Sequence, residues 1–434
     1  MSAPQPMPDT LQQWLAYIER GHPRAIEMGL ERVRAVKEVV ALEFKCPVIT
    51  VGGTNGKGSA CMMLEAILRH AGYKTGCYTS PHLLRYNERV RISREAVDDA
   101  SLVRAFHAIE SARQQAGVSL TYFEMGTLAA AWLFVEARVD VAILEVGLGG
   151  RLDAVNVFEP ACAMVMSVAM DHMYYLGDTR EKIGFEKAGI YRAGKPAICA
   201  DADPPQSLLR HAEAIGARLM LRGRDFDAEP AGTQWRYQCP GGPGGARHAL
   251  PWPALRGAYQ LHNAAACITA LDALRDRLPL TMNDVRTGLL TAENPGRFQV
   301  LPGQPLVILD VAHNPHAAAA LAASLKSLPR GGRTLAVFAM LADKDIAGVA
   351  AVLCPQVTRW FAAGLTGARG VSADVMVNKL QAAGAKDVVA SATVQEALAK
   401  ARDTALADDK ILIFGSFHTV AEAIVVLSRR SVDS

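Results

Sequence analysis

The chain has 434 residues, half of them apolar and 21% charged, and 46 Lys and Arg against 43 Asp and Glu leave a net charge of +3. At about 150 residues per domain the length accommodates two or three domains, and so small a net charge provides no bulk attraction to a nucleic acid or an anionic membrane. The longest near-continuous apolar run, Ala161 to Met170, is shorter than the ~20 residues of a spanning helix, the start Met1-Ser2-Ala3-Pro4 lacks a signal-peptide pattern, and no two of the eight cysteines lie closer than 15 residues, so the expectation is a cytoplasmic protein whose cysteines are small buried hydrophobes.

In chain order, Val48-Ile49-Thr50-Val51 reads as a strand entering a glycine-rich turn from Gly52 to Gly58, and Met62, Met63, Ala66 and Ile67 follow at helical spacing. The alternation continues with strand-like Lys74–Thr79, helical Ala100–Gln115 and Phe123–Ala137, the β-branched run Val139–Glu145, strands at Ala161–Val168 and Pro196–Ala200, and helices near Arg180–Tyr191 and Gln206–Ile215. Strands separated by helices imply a mostly parallel sheet covered on both faces. Between Arg222 and Pro253 the regularity fails around Pro240-Gly241-Gly242-Pro243-Gly244-Gly245, where only short polar strands fit, as a surface excursion or a few antiparallel strands. Helix returns at His262–Leu274, and after the break Glu293-Asn294-Pro295-Gly296 a fresh α/β series runs from Leu306–Asp310 to a helix at Thr419–Arg429. The expected architecture is α/β: an N-terminal P-loop-type, mostly parallel sheet domain over 1–296 and a smaller C-terminal Rossmann-like α/β domain over 297–434.

Gly52-Gly53-Thr54-Asn55-Gly56-Lys57-Gly58-Ser59 resembles a phosphate loop with one glycine inserted between the lysine and the hydroxyl residue. Glycines let backbone N–H groups turn toward phosphate oxygens, Lys57 adds a mobile cation, and the following helix presents its positive end. Ser59 suits either a magnesium ion or a phosphate. Glu145 ends one predicted strand, Asp171-His172 follows another, and Thr79-Ser80-Pro81-His82 follows a third. In open α/β sheets ligands bind at such strand ends, and a carboxylate, an imidazole and a hydroxyl beside a phosphate loop suit a magnesium nucleotide. Lys187, within Arg180-Glu181-Lys182-Ile183-Gly184-Phe185-Glu186-Lys187, reads by itself as part of a solvated, charged helix face.

Gly53 to Ser59, with its extra glycine, resembles the loop of Mur-type ATP-dependent amide ligases. Further blocks are similar to one branch, the bifunctional dihydrofolate synthase/folylpolyglutamate synthase family: Glu27-Met28-Gly29-Leu30-Glu31-Arg32-Val33, Thr79-Ser80-Pro81-His82-Leu83, Thr121-Tyr122-Phe123-Glu124, Leu144 to Ala154, Glu186-Lys187-Ala188-Gly189-Ile190, Pro295-Gly296-Arg297-Phe298-Gln299, Asp310 to His316, Asp343-Lys344-Asp345-Ile346 and Gly415 to Val420. The resemblance implies that ATP phosphorylates a pteroate or folate carboxylate and that the α-amine of L-glutamate attacks the acyl phosphate. The substrates it implies are ATP, glutamate, dihydropteroate and tetrahydrofolates, and the assembly it suggests is a monomer.

By the same resemblance, Asn55, Gly56, Lys57, Gly58 and Ser59 hold the nucleotide together with Asn263, Arg297 and Asp310, and Lys57, Lys187 and His313 are the catalytic residues. Ser80, Glu145, His172 and Lys187, the last as a carbamate (N6-carboxylysine), hold Mg2+ at two sites. Met28, Gly29, Leu30, Thr121, Phe123, Leu152, Asp153 and Ala154 bind the pterin or folate. Placing Arg297 and Asp310 beyond the phosphate-loop domain couples the implied chemistry to closure, which keeps water from the acyl phosphate. Two departures stand out: Met173 replaces a common threonine next to His172, and His262 precedes Asn263, either as a base contact or as an ordinary helix-start residue. Rival readings are a folylpolyglutamate synthase without the dihydropteroate activity, a muramyl-type amino-acid ligase, against which stand only 47 residues before Val48, and a nucleotide-dependent regulatory switch, which has no use for Glu145, His172 or the Asp310–His316 block.

Overall fold

A computed structural model describes residues 7–242, 244–328 and 331–430; the start segment Met1-Ser2-Ala3-Pro4 and Pro243 of the glycine-proline cluster lie outside the described residues. Contacts divide the chain into two compact units, 1–254 with 261–292, and 255–260 with 293–434.

The first unit opens with helices α1 (Leu11–Arg20) and α2 (Glu31–Val39). Thr10 and Gln13 close a capping box at the start of α1, and Leu11, Trp14 and Ile18 bury one face, the spacing of an amphipathic helix. The phosphate-loop region follows as β1 (Val48–Gly52), α3 (Lys57–His70), β2 (Thr75–Tyr78), β3 (Val90–Ile92) and β4 (Glu95–Ala96). Next come α4 (Asp99–Ala116), α5 (Tyr122–Glu136), β5 (Val141–Glu145), β6 (Cys162–Val165), α6 (Met173–Leu176), α7 (Arg180–Ala188), β7 (Pro196–Cys199), α8 (Gln206–Ala214) and β8 (Arg218–Leu221). The eight strands form one sheet in the order β4-β3-β2-β5-β1-β6-β7-β8. Six of them, β2 to β8 in that order, run parallel, and the β3–β4 hairpin adds an antiparallel edge. β1, β2, β5, β6 and β7 are buried along their whole length, as parallel strands covered on both faces must be.

The irregular region is a three-stranded antiparallel sheet, β9 (Asp227–Ala231), β10 (Gln234–Gln238) and β11 (Arg247–Pro251). It is less polar than expected, because Trp235 and Tyr237 alternate with polar neighbours and are fully buried. The Tyr237 hydroxyl lies 2.9 Å from Thr269 Oγ1 on α9 (Tyr259–Ala273), and α10 (Met282–Thr291) packs on α3.

The second unit holds β12 (Gln299–Leu301), β13 (Leu306–Asp310), α11 (Pro315–Lys326), β14 (Thr334–Phe338), α12 (Ile346–Leu353), β15 (Arg359–Ala363), α13 (Ala373–Ala382), β16 (Val388–Ser391), α14 (Val394–Thr404), β17 (Lys410–Phe414) and α15 (Phe417–Arg430). Its sheet order is β12-β13-β17-β14-β15-β16, with β12 antiparallel and the others parallel. Phe338, Trp360 and Phe414 cluster in its core with edge-to-face and tilted ring contacts. Six of the eight cysteines are buried and all are free thiols. Among the described residues no helix is long and apolar enough to cross a membrane.

Candidate active site

The sheet order brings together what is scattered in the chain. β2, β5, β1 and β6 are consecutive neighbours, so Ser80, Glu145, the glycine loop and Asp171-His172 follow the carboxyl ends of four adjacent parallel strands. The loop itself is tighter than expected. Its turn is complete at Gly56, which is left-handed at φ 90°, and α3 starts at Lys57, so Gly58 is helical and not part of the turn. A side chain at Gly56 would bring a Cβ to 2.9 Å from Asn263 Oδ1, and one at Gly53 would reach the Met166 backbone nitrogen at 3.0 Å. Close backbone approach therefore requires both glycines.

Ser167, after β6, fixes the loop by accepting the Asn55 N–H at 2.9 Å and donating to the Asn55 carbonyl at 3.0 Å. The Lys57 ammonium donates to the carbonyls of Gly53 and Thr54, both at 3.1 Å, which keeps it over the loop. Ser59 is buried in the first turn of α3, and Asn263 is buried on α9.

Glu145, 4% exposed, accepts the Ser80 N–H at 3.1 Å, which joins two of the expected metal donors. His172 is left-handed at φ 50°, an unusual conformation for a non-glycine residue, and its backbone N–H donates to Asp171 Oδ1 at 2.8 Å. Among the described residues no trio of His, Cys, Asp and Glu forms a ready metal cage. The expected donor set has one carboxylate and one imidazole, with a hydroxyl and a lysine completing it, so it would not contain such a trio. A buried carboxylate tied to a hydroxyl residue on the neighbouring strand end fits a hard cation that keeps part of its water shell.

Lys187 overturns the solvated-face expectation. It lies in the last turn of α7, 4% exposed, whereas Lys182 on the same helix is exposed and pairs with Asp178 at 2.8 Å. Desolvation, followed by the nearby positive charge of Lys57, lowers the Lys187 amine to about 7, with Asp171 and Asp153 opposing. Asp153 is its counterpart: burial raises its carboxyl to about 7, although it accepts the Leu148 N–H at 2.8 Å and the Val155 N–H at 3.1 Å. Lys57, Asp153, Asp171 and Lys187 thus share one electrostatic neighbourhood.

The expected pterin residues converge beside it. The Gly29 N–H points to the Leu152 carbonyl at 3.4 Å, and a Cβ on Gly149 would meet the Met28 methyl at 3.3 Å. The Phe123 ring lies so close over Gly147 that a Cβ there would sit 2.5 Å away. Thr121 caps α5, Leu30 precedes α2, and Ala154 is buried just after Asp153.

In the second unit, buried Asp310 accepts the backbone N–H groups of Phe298 and Ala312, both at 2.8 Å, one on each oxygen, and burial raises its carboxyl against the pull of Arg297. The Arg297 guanidinium stacks 4.7 Å over the Phe417 ring. His313 Nδ1 lies 2.9 Å from the Val311 carbonyl. His262 is the fourth residue of α9, with Nδ1 3.8 Å from Asp227. Unforeseen from sequence are the Ser167 clasp on the loop and the Arg32–Glu124 ion pair; the T-x-x-E capping pattern at Thr121 was the available signal for the latter.

Residues 51–271 match the Mur ligase middle domain, and residues 296–417 match the Mur ligase glutamate ligase domain. Over 421 residues, 97% of this chain and 96% of the relative, the sequence is 45% identical to the dihydrofolate synthase/folylpolyglutamate synthase of Escherichia coli (strain K12). The chain belongs to this family of Mur ligases. Its fold is similar to that of E. coli FolC in complex with DHPP and ADP, with a TM-score of 0.93 and 44% identity over 99% of this chain and 100% of that one. A bifunctional folylpolyglutamate synthase/dihydrofolate synthase with Mn, AMPPNP and L-glutamate bound has a TM-score of 0.89, at 43% identity, covering 98% and 100%.

Proposed function

We propose that the chain is an ATP-dependent carbon–nitrogen ligase that adds L-glutamate to dihydropteroate, forming dihydrofolate, and to tetrahydrofolates, extending a polyglutamate tail. The observation that carries this reading is the placement of the phosphate loop, Glu145 with Ser80, and Asp171-His172 after four neighbouring strand ends, with Lys187 and Asp153 buried in the same electrostatic neighbourhood, on a chain that is 45% identical to a dihydrofolate synthase/folylpolyglutamate synthase.

A substrate carboxylate oxygen attacks the γ-phosphorus of ATP and ADP leaves. The glutamate amine then attacks the acyl carbon, losing a proton as phosphate departs. Asn55 to Ser59 cradle the triphosphate, and Lys57 offsets charge on the transferring phosphoryl group. Ser80, Glu145 and His172 would hold Mg2+, which would supply positive charge against the phosphates. An amine lowered to about 7 is about half uncharged at neutral pH, and we assign Lys187 as the group that takes up carbon dioxide: a nitrogen–carbon bond forms, a proton leaves, and the resulting carbamate would offer oxygen donors to a second metal. Met28 to Leu30, Thr121, Phe123 and Leu152 to Ala154 position the pterin. Asn263, Arg297 and Asp310 contact the nucleotide, with His313 in the catalytic set. The reading includes a monomer acting in the cytoplasm.

Purified chain with MgATP and glutamate should release ADP on addition of dihydropteroate and also of a tetrahydrofolate. Release with the reduced folate alone would remove the first activity, and release only with a muramyl nucleotide would overturn the assignment.

A further inference from the structure

One guanidinium ties the two halves of the proposed pterin slot together. Arg32, at the start of α2, donates from Nη1 to Glu27 Oε1 and from Nη2 to the Glu27 carbonyl, both at 2.8 Å. The same Nη2 reaches Glu124 Oε1 at 2.8 Å, and Nε approaches Glu124 Oε2 at 3.4 Å. That Oε2 also accepts the Thr121 N–H at 2.7 Å. The Arg32 side chain is 17% exposed and that of Glu124 5%. On the far side of Glu27, His22 Nε2 lies 3.1 Å from Oε2, and His22 Nδ1 lies 2.9 Å from Ser119 Oγ.

The network runs from Ser119 through His22, Glu27 and Arg32 to Glu124 and the α5 cap at Thr121. Met28, Gly29 and Leu30 immediately follow Glu27, and Thr121 and Phe123 lie at the Glu124 end. A lysine in place of Arg32 offers one point charge and could not hold a backbone carbonyl and two carboxylates in a planar fork.

We infer that Arg32, through its fork to Glu27 and Glu124, is a positioning residue that sets the spacing between the Met28–Leu30 segment and the Thr121–Phe123 turn and thereby selects for the pterin substrate. This rests on the function proposed above. The polar partners of Arg32 are Glu27 and Glu124 and none belongs to the phosphate loop, so its loss acts on pterin recognition and leaves nucleotide handling alone.

The test is R32K, E124Q and the double variant, assayed for dihydropteroate binding by calorimetry and for KM of dihydropteroate and MgATP separately. R32K should weaken dihydropteroate binding and raise its KM about tenfold or more while the KM for MgATP stays within about twofold. The double variant should be less impaired than the product of the two single effects, since both break one contact. Equal changes in both KM values, or no change in dihydropteroate binding, would overturn the inference. A wild-type chain that binds no dihydropteroate fails the functional reading instead, so the two failures are separable.

Discussion

Lys57 and Lys187 serve the same candidate site by opposite means. Lys57 is placed by backbone: a left-handed Gly56 ends the turn, and the ammonium is held by two carbonyls of its own loop. Lys187 is placed by burial, in an environment that strips its water and lowers its amine to about 7. The first arrangement is local and tolerates solvent. The second exists only once β5, β6 and α7 have packed, and it costs stability wherever the amine must be charged.

The comparison breaks most sharply at the phosphate loop. Lys57→Ala should lower turnover about 1000-fold with the fold intact, the scale of removing a preorganised charge from a transition state; a loss under tenfold would remove Lys57 from the phosphoryl site. Lys187→Met should lower turnover by about 100-fold or more, yet stabilise the metal-free chain by on the order of 2–4 kcal/mol, because an apolar side chain then fills a dehydrated site. Thermal melting beside a turnover assay checks both halves. A destabilised variant would mean that the lysine is well solvated or paired.

The sign of the pH effect sharpens this further. The folded chain holds Lys187 near 7, below the usual 10.5, so between these values the unfolded chain binds the extra proton and stability rises with pH. Asp153 is raised from 3.8 to about 7, so its contribution is full below about 3.8 and is lost as pH rises toward 7. The stabilisation from Lys187→Met should therefore be complete at and below pH 7 and fade toward pH 10. A gain that does not vary with pH would rule out burial of the charge as its cause. The smallest effect belongs to Lys182 on the same helix: its exposed pair with Asp178 is of a kind that contributes little, and Lys182→Ala should leave turnover within about twofold.

These contrasts also show what the sequence could convey. The loop was legible because glycine spacing encodes backbone directly, although the helical state of Gly58 was not, since nothing local separates the last turn residue from the first helical ones. The alternating strands and helices were legible from periodicity. Helix α1 carries the same signal in Leu11, Trp14 and Ile18, but over only ten residues ahead of the motifs, and α10 is hidden behind polar residues such as Asn283 and Asp284. Trp235 and Tyr237 were masked by the glycines and prolines around them. Lys187 was illegible in principle from its own segment, because Lys182 and Lys187 sit on one charged helix and only tertiary packing buries the second. The family resemblance alone implies a role for Lys187, and its burial gives that proposal a physical basis.

The most direct measurement is carbon-13 NMR of the protein equilibrated with labelled bicarbonate above pH 7, in wild type and in Lys187→Met. The account predicts one carbamate signal in the wild type that fades as pH falls below 7 together with dihydropteroate-dependent ADP release, and no such signal in the variant. Full turnover in a wild type without that signal, or a signal that persists in Lys187→Met, would contradict it.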